Sequence, residues 1–378
     1  MKLDVAKRIF GLDLMRAVAI LLVLFSHTSL LMYPEMESMS LTIIRFFGAI
    51  GVDVFFVLSG FLIGGILLRQ IRDGKTRRKD MLYFLIRRWL RTLPNYYLIL
   101  IINIALIYLL HDDHLEGISS FFLFLQNLDA GQIDFFTESW SLSIEEFAYI
   151  IGPVLLLAFF YLFKKTDKGK LFIWVVLFII VLSVFLRFMF HLNEEINDYE
   201  YWSHNLRKVV MYRIDSIYYG FIAAYISMNW KSKWSNFRIQ TAIVGILMFF
   251  GTHFVIFKFN LLPENASFFY NVLYLPMVSI NIAFFLPMLS TWKTSKVLAN
   301  SVTWISVLSY SLYLVNYSIV LLTVKKFVDV GSMDIIGKCL MALMFWSVSF
   351  FLSYLLYRWF ERPIMNLRDK PIIIDKFN

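Results

Sequence analysis

The chain has 378 residues, 59% of them hydrophobic and only 17% charged, with a formal net charge of +9 at pH 7. Soluble domains average roughly 45–50% apolar and about 25% charged residues, so this balance excludes an ordinary soluble enzyme or binding module. Apolar runs of about 20 residues recur from end to end, the length a helix needs to cross the hydrocarbon core, and no segment has the strand-length alternation of a membrane barrel.

Ten spans are expected by run length, and the first, Leu12–Met32, is already unusual. It opens as GLDLMRAVAILLVLFSHT, placing Asp13, Arg16 and His27 where lipid-facing side chains would be apolar. Arg16 and His27 are about three turns apart and share one face, the imidazole roughly 16 Å deeper, while Asp13 can pair with Arg16 three residues on. A basic start before an apolar run raises a cleaved signal peptide, but the length of the run, its charges and the lack of a small-residue cleavage site point to a retained span. Ionisable groups at such depth are costly and usually mark function, although a buried histidine also commonly just bonds a neighbouring helix.

The second span, Ile43–Leu68, carries Asp53 and the small-residue pair Gly60 and Gly64, a pattern for close helix packing. The third, Leu82–Leu110, starts with FLIRRWLRTLP, which sets Arg88 and Arg91 on one face. Arginines at a membrane border often only snorkel; the functional alternative is an anion such as phosphate, which guanidinium forks match bidentately. Beyond it, HDDH places His111 and His114 three apart among acids, read as a polar outer loop rather than a metal site.

The fourth span, Ser139–Phe163, enters from the outer side through ESWSLSIEEFAY, where Glu138, Ser141, Glu145 and Tyr149 line one face. So polar a stripe must face protein or a wet cavity. Counting helical rise, Glu145 lies about 10 Å in from the outer edge and His27 about 22 Å up from the inner edge; in a core of about 30 Å the two depths nearly coincide. Leu171–Phe190 carries Arg187, Val209–Trp230 carries Arg213 and Asp215, and Ile239–Phe257 and Phe269–Leu289 follow. Val302–Val324 holds Asn316, and Ile335–Phe360 closes the set. Asp53, Trp140, Ser141, Arg187, Arg213, Asp215 and Asn316 form a polar cluster in the outer half, open to two readings: acceptor contacts or a structural charge network.

The basic stretches RQIRDGKTRRKD, KKTDKGK, KSKWSNFR and KTSK fall in alternate connections, with roughly 25 Lys and Arg on that side against about seven on the other. This is the positive-inside pattern. It argues against nucleic acid as partner and places both termini in the cytoplasm. The expected fold class is therefore all-α: a polytopic membrane helix bundle of about ten transmembrane helices, one membrane domain over 1–378 with no appended soluble domain. Neither the metal signature His-Glu-x-x-His nor a Gly-x-Ser-x-Gly elbow occurs.

Taken together, GLDLMRAVAILLVLFSHT, GVDVFFVLSGFLIGGIL, RRWLRTLPNYY, ESWSLSIEEFAY, YRIDSIYYG and the closing RWFERP resemble, in order and over nearly the whole chain, the acyltransferase 3 family of membrane proteins. That resemblance implies an O-acyltransferase of the cytoplasmic (inner) membrane, carrying acetyl or another acyl group to bacterial surface glycans and related acceptors. Arg16 and His27 match the arginine and histidine of the family's first helix, the histidine being essential there. Arg88 and Arg91 match its Arg-x-x-Arg element, associated with the acyl donor, and Glu145 the acid of its Trp-Ser-Leu segment, here Trp140, Ser141 and Leu142. Many members have a histidine where this chain has Asn316, and many carry a secreted-hydrolase-like C-terminal domain that is absent before Asn378.

On this resemblance the expected co-substrate is cytoplasmic acyl-CoA, its phosphates held by Arg88, Arg91 and Arg16, with no metal. His27 is the expected general base, with Glu145 orienting its ring. The acceptor is a glycan or lipid-linked sugar. Neither the oligomeric state nor the identity of the acceptor follows from the residues. The main rival class is a transporter of polysaccharide or small solutes, which would use buried charge pairs without acyl-transfer chemistry.

Overall fold

The structure, a computed structural model, describes residues 8–36, 38–110, 116–294 and 296–367. His111 and His114 lie outside them, as do both ends of the chain. Among the described residues there is no strand, and nine helices are long and apolar enough to cross a membrane. Numbering the long helices in chain order gives α1 (Phe10–Met32), α2 (Met39–Arg72), α3 (Arg78–Leu109), α4 (Ser139–Leu162) and α5 (Lys168–Asn193). After a broken segment that ends in α6 (Asp215–Asn229) come α7 (Arg238–Lys258), α8 (Phe269–Thr291), α9 (Val297–Phe327) and α10 (Ile335–Leu367).

The ten uninterrupted spans expected from run length are thus nine plus one interrupted segment. Residues 209–230 form a short turn of helix, Val210–Arg213, and then α6, whose 15 residues rise only about 22 Å, short of a full core. The interruption lies between Arg213 and Asp215. Two residues apart, these side chains face opposite sides of a helix, and each finds its own buried partner on a different neighbour.

Local signals set the helix ends. Ser38, Asp167 and Asp334 cap α2, α5 and α10, accepting from the backbone N–H of Leu41, Lys170 and Gly337 respectively. Pro94 lies inside α3 and Pro153 inside α4, where surrounding helices tolerate the lost backbone bond. The α3 helix begins four residues before its expected start, so Arg88 and Arg91 lie about 15–20 Å along it from its first residue.

Helix α2 is central, packed along both α1 and α6, and α9 packs against α1. The α2–α6 contact is a backbone crossing: a Cβ added at Gly60 would sit 1.9 Å from the Ile217 carbonyl oxygen, and one at Gly220 would sit 2.2 Å from that of Val57. Only glycine permits that approach, which is what the Gly60–Gly64 pattern leads one to expect. The outward faces are apolar, with Leu247, Phe250 and Phe254 on α7 and Val181 and Phe185 on α5 all exposed. In water such faces would be unstable; against lipid they are the norm.

Candidate active site

Helices α1, α2, α3, α4 and α9 enclose a cleft of about 840 Å³, part of it open to solvent. The cationic side chains among its lining are Arg16, Arg88 and Arg91, set against a single carboxylate, Glu145. The structure therefore brings together six of the residues named in the sequence, Arg16, Arg88, Arg91, Glu145, Ser141 and Tyr149, from three helices. An excess of guanidinium in a protein-lined cleft favours an anionic ligand, phosphate above all.

Buried groups hold Arg16 and brace the stretch of α3 that carries Arg88 and Arg91. Asp13 is buried and accepts from Arg8 (2.7 Å to Nε), from Ser306 Oγ (2.7 Å) and from Thr303 Oγ1 (3.2 Å). Arg16 shares this hub, 3.6 Å from the Asp13 carboxylate and donating to Ser306 Oγ at 3.3 Å. The expected Asp13–Arg16 pair exists, with Arg8 as the closer partner. The arginine-bearing part of α3 is braced from three directions. Thr92 Oγ1 donates to Glu146 of α4 at 2.7 Å, Tyr310 of α9 donates to the Thr92 carbonyl at 2.7 Å, and Asn95 Nδ2 donates to Glu361 of α10 at 2.9 Å. Glu361 also accepts from Ser311 Oγ at 2.5 Å. The acid of the closing RWFERP motif is thus a buried strut between α3, α9 and α10.

Further along the cleft, Glu145 accepts hydrogen bonds from Ser59 Oγ and from Tyr149 Oη. Tyr313 also lines the cleft; its ring packs 6.3 Å from that of Phe55 and its hydroxyl lies 2.7 Å from Ser141 Oγ. His27 is not among the lining residues. Its Nδ1 is 2.5 Å from Oδ1 of Asn316, three residues past Tyr313, and its ring packs 4.7 Å from that of Tyr317.

The Asn316 amide determines which way this bond runs. Its Nδ2 donates to the carbonyls of Leu312 (2.6 Å) and Tyr313 (2.9 Å). Flipping the amide would press its oxygen against two carbonyl oxygens, so Oδ1 must face the imidazole and accept from it. Nδ1 then carries a proton, and in the neutral ring Nε2 keeps its lone pair. A π-helical turn, Asn316–Leu321, begins at this residue, a feature frequent at functional sites. The orienting partner expected from Glu145 is therefore Asn316. Matching depths brought Glu145 and His27 to one level, but depth says nothing of azimuth, and Glu145 turns instead toward Ser59 and Tyr149.

The outer polar cluster divides. Arg187 binds Asp215 through two hydrogen bonds, 2.8 and 2.7 Å, and the Tyr212 carbonyl at 2.6 Å. Arg213 pairs with Asp53. All four are buried, and none lines the cleft. They tie α2, α5 and α6 together behind its wall, while Phe56 separates them from it, edge-on to Trp140 at 5.9 Å. Of the remaining members, Ser141 lines the cleft, Trp140 lies behind it and Asn316 binds His27. Among the described residues no group of three or more His, Cys, Asp or Glu is arranged to hold a metal.

Sequence reasoning did not single out Ser59, Thr92, Tyr310 or Tyr313. For Tyr313 a signal existed, since Ser309, Tyr313 and Asn316 follow helical spacing in SYSLYLVN, and Ser309 and Tyr313 both line the cleft.

Comparison with known proteins agrees with the motif pattern. The family model described as "Acyltransferase domain" matches residues 9–372. A Staphylococcus aureus (strain COL) protein named "Putative O-acetyltransferase" is 26% identical over 393 residues, covering 97% of this chain and 60% of the relative. The peptidoglycan O-acetyltransferase of Listeria monocytogenes is 34% identical over 152 residues, covering 36% of this chain and 24% of its own length. A Bacillus subtilis protein named "Putative peptidoglycan O-acetyltransferase" is 34% identical over 173 residues, 42% of this chain and 25% of the relative. The chain spans about 60% of the length of the Staphylococcus aureus relative. No solved structure matches. With the family model matching nearly end to end, this chain belongs to the acyltransferase 3 family.

Proposed function

We propose that this multi-pass membrane protein is an O-acyltransferase of the inner membrane, moving acetyl from cytoplasmic acetyl-CoA to a hydroxyl of a glycan or lipid-linked sugar. The observation that carries the reading is the Asn316-fixed tautomer of His27, which leaves Nε2 of the neutral ring as a proton acceptor in a bundle whose cleft is lined by three arginines.

In this mechanism Arg16, Arg88 and Arg91 hold the phosphates of the donor, and its pantetheine arm runs past Ser59 and Glu145 toward Tyr313. The acceptor hydroxyl gives its proton to His27 Nε2 as its oxygen attacks the thioester carbonyl. The bond from carbon to sulfur breaks, the acyl group passes to the acceptor oxygen, and the imidazolium returns the proton to the departing thiolate. Asn316 stabilises the imidazolium through the Nδ1–H bond, the part a carboxylate plays in a serine triad. The mechanism requires the thioester to reach His27, whose partner Asn316 is three residues past Tyr313 of the cleft lining.

The test is acetyl transfer in proteoliposomes. Protein is supplied with radiolabelled acetyl-CoA on the face bearing the basic connections, together with a glycan acceptor. Label on the glycan supports the proposal. Movement of unmodified glycan across the bilayer with no consumption of acetyl-CoA supports a transporter instead.

A further inference from the structure

The start of α1 sets one carboxylate between two guanidiniums, and of these two only Arg16 lines the cleft. Arg8, two residues before the helix, grips Asp13 with a fork: Nε donates to Oδ2 at 2.7 Å and Nη2 to Oδ1 at 2.5 Å. Such bidentate pairing is the strong form of a charge-assisted bond. Arg16 Nη1 stands 3.6 Å from the same Oδ1, outside hydrogen-bond range, and donates instead to Ser306 Oγ at 3.3 Å. The Arg8 side chain is 33% exposed and that of Arg16 only 14%.

Asp13 itself is buried, with Ser306 Oγ and Thr303 Oγ1 completing its donors. A buried carboxylate is costly without a cation. Arg8 supplies that cation, so two positive charges face one negative, and the surplus charge belongs to the side chain that lines the cleft. Were Arg8 absent, Asp13 would still need a partner. Arg16 would have to move only about 0.7 Å to reach an ordinary charge-assisted distance. It would then be neutralised by its own helix, three residues back.

We infer that Arg8 is a positioning residue for anion binding in the cleft: by occupying the Asp13 carboxylate it keeps the Arg16 charge available to a phosphate. The inference rests on the acetyl-CoA reading for the source of that phosphate, while the competition for Asp13 stands on its own geometry. Arg8 does not touch the ligand. It acts through Asp13 on Arg16, and the same logic makes Asp13 the residue whose removal cancels the loss of Arg8.

The probe is inorganic pyrophosphate, titrated calorimetrically into the full chain in nanodiscs. Wild type binds, and Arg8→Gln weakens binding roughly tenfold, about the worth of one hydrogen bond to a charged group. Adding Asp13→Asn to Arg8→Gln restores affinity to the wild-type level, because no carboxylate remains to claim Arg16. Asp13→Asn alone, which releases both guanidiniums, binds at least as tightly as wild type. A contact that merely anchored the chain ahead of α1 would give the opposite order, each substitution adding to the loss. In transfer assays Arg8→Gln raises KM for acetyl-CoA and leaves KM for acetyl-pantetheine, which lacks the nucleotide phosphates, unchanged.

Absence of pyrophosphate binding in wild type, equal affinity in wild type and Arg8→Gln, or a double variant as weak as Arg8→Gln overturns the inference. The expected order of pyrophosphate affinities, with no acetyl transfer by wild type, instead sinks the acyl-transfer reading and leaves the role of Arg8 standing.

Discussion

The Nδ1 of His27 and the side-chain oxygen of Asn316 are 2.5 Å apart, and both hydrogens of the Asn316 amide are already committed to the Leu312 and Tyr313 carbonyls. Two residues 289 positions apart thereby fix the protonation pattern of a ring set within a bundle. Replacing Asn316 with Ala should remove that constraint. Turnover should fall on the order of 100-fold, within the range general-base contributions span, with KM for acetyl-CoA unchanged. Steady-state kinetics separates the two, and a change in KM alone would contradict a positioning role.

The three arginines of the cleft make a different prediction. Arg91→Ala or Arg16→Ala should raise KM for acetyl-CoA roughly 10- to 100-fold, the worth of one or two hydrogen bonds to a charged group. The same variants should use acetyl-pantetheine, which lacks the nucleotide phosphates, as well as wild type does. Equal losses on both donors would mean that the arginines shape the cleft rather than hold phosphate.

Behind the wall, Asp53 and Arg213 are buried and paired. Arg213→Met leaves a carboxylate without its cation and should destabilise the fold by roughly 3–5 kcal/mol, whereas the double change Asp53→Leu with Arg213→Met should recover much of that loss. Thermal midpoints in detergent check the order. A double variant no better than the single one would assign the pair a role beyond mutual neutralisation.

The α2–α6 crossing gives a control within one helix. Gly60→Ala places a methyl 1.9 Å from the Ile217 carbonyl oxygen, whereas the nearest atom to a methyl at Gly65 is the Ala224 Cβ at 3.9 Å. The first change should sharply reduce folded yield and the second should be neutral, as size-exclusion profiles of the two variants would show.

The spans were legible in the sequence because crossing a bilayer demands apolar length, and only the segment around Arg213 departed from that rule. A helix broken between two oppositely paired charges still reads as one apolar run. The grouping of Arg16, Arg88 and Arg91 was expected from the acyltransferase 3 resemblance, while helical rise, which converts residue number into height, put Glu145 at the level of His27 rather than with the arginines whose cleft it lines. Rotation about each helix axis was not legible. That is why Glu145 was expected beside His27 and lies beside Ser59 instead, and why Asn316 went unrecognised as the ring's partner. Its side chain is aimed where a π-helical turn begins, which residue spacing does not announce. The strut from Glu361 to Asn95 was equally hidden, since it joins residues 266 positions apart.

Transfer of radiolabelled acetyl by His27→Ala in proteoliposomes reports whether His27 Nε2 takes the proton of the acceptor hydroxyl. This variant should insert, fold and bind acetyl-CoA like wild type while label on the glycan drops to background. Transfer at the wild-type rate by folded His27→Ala would contradict that role of His27.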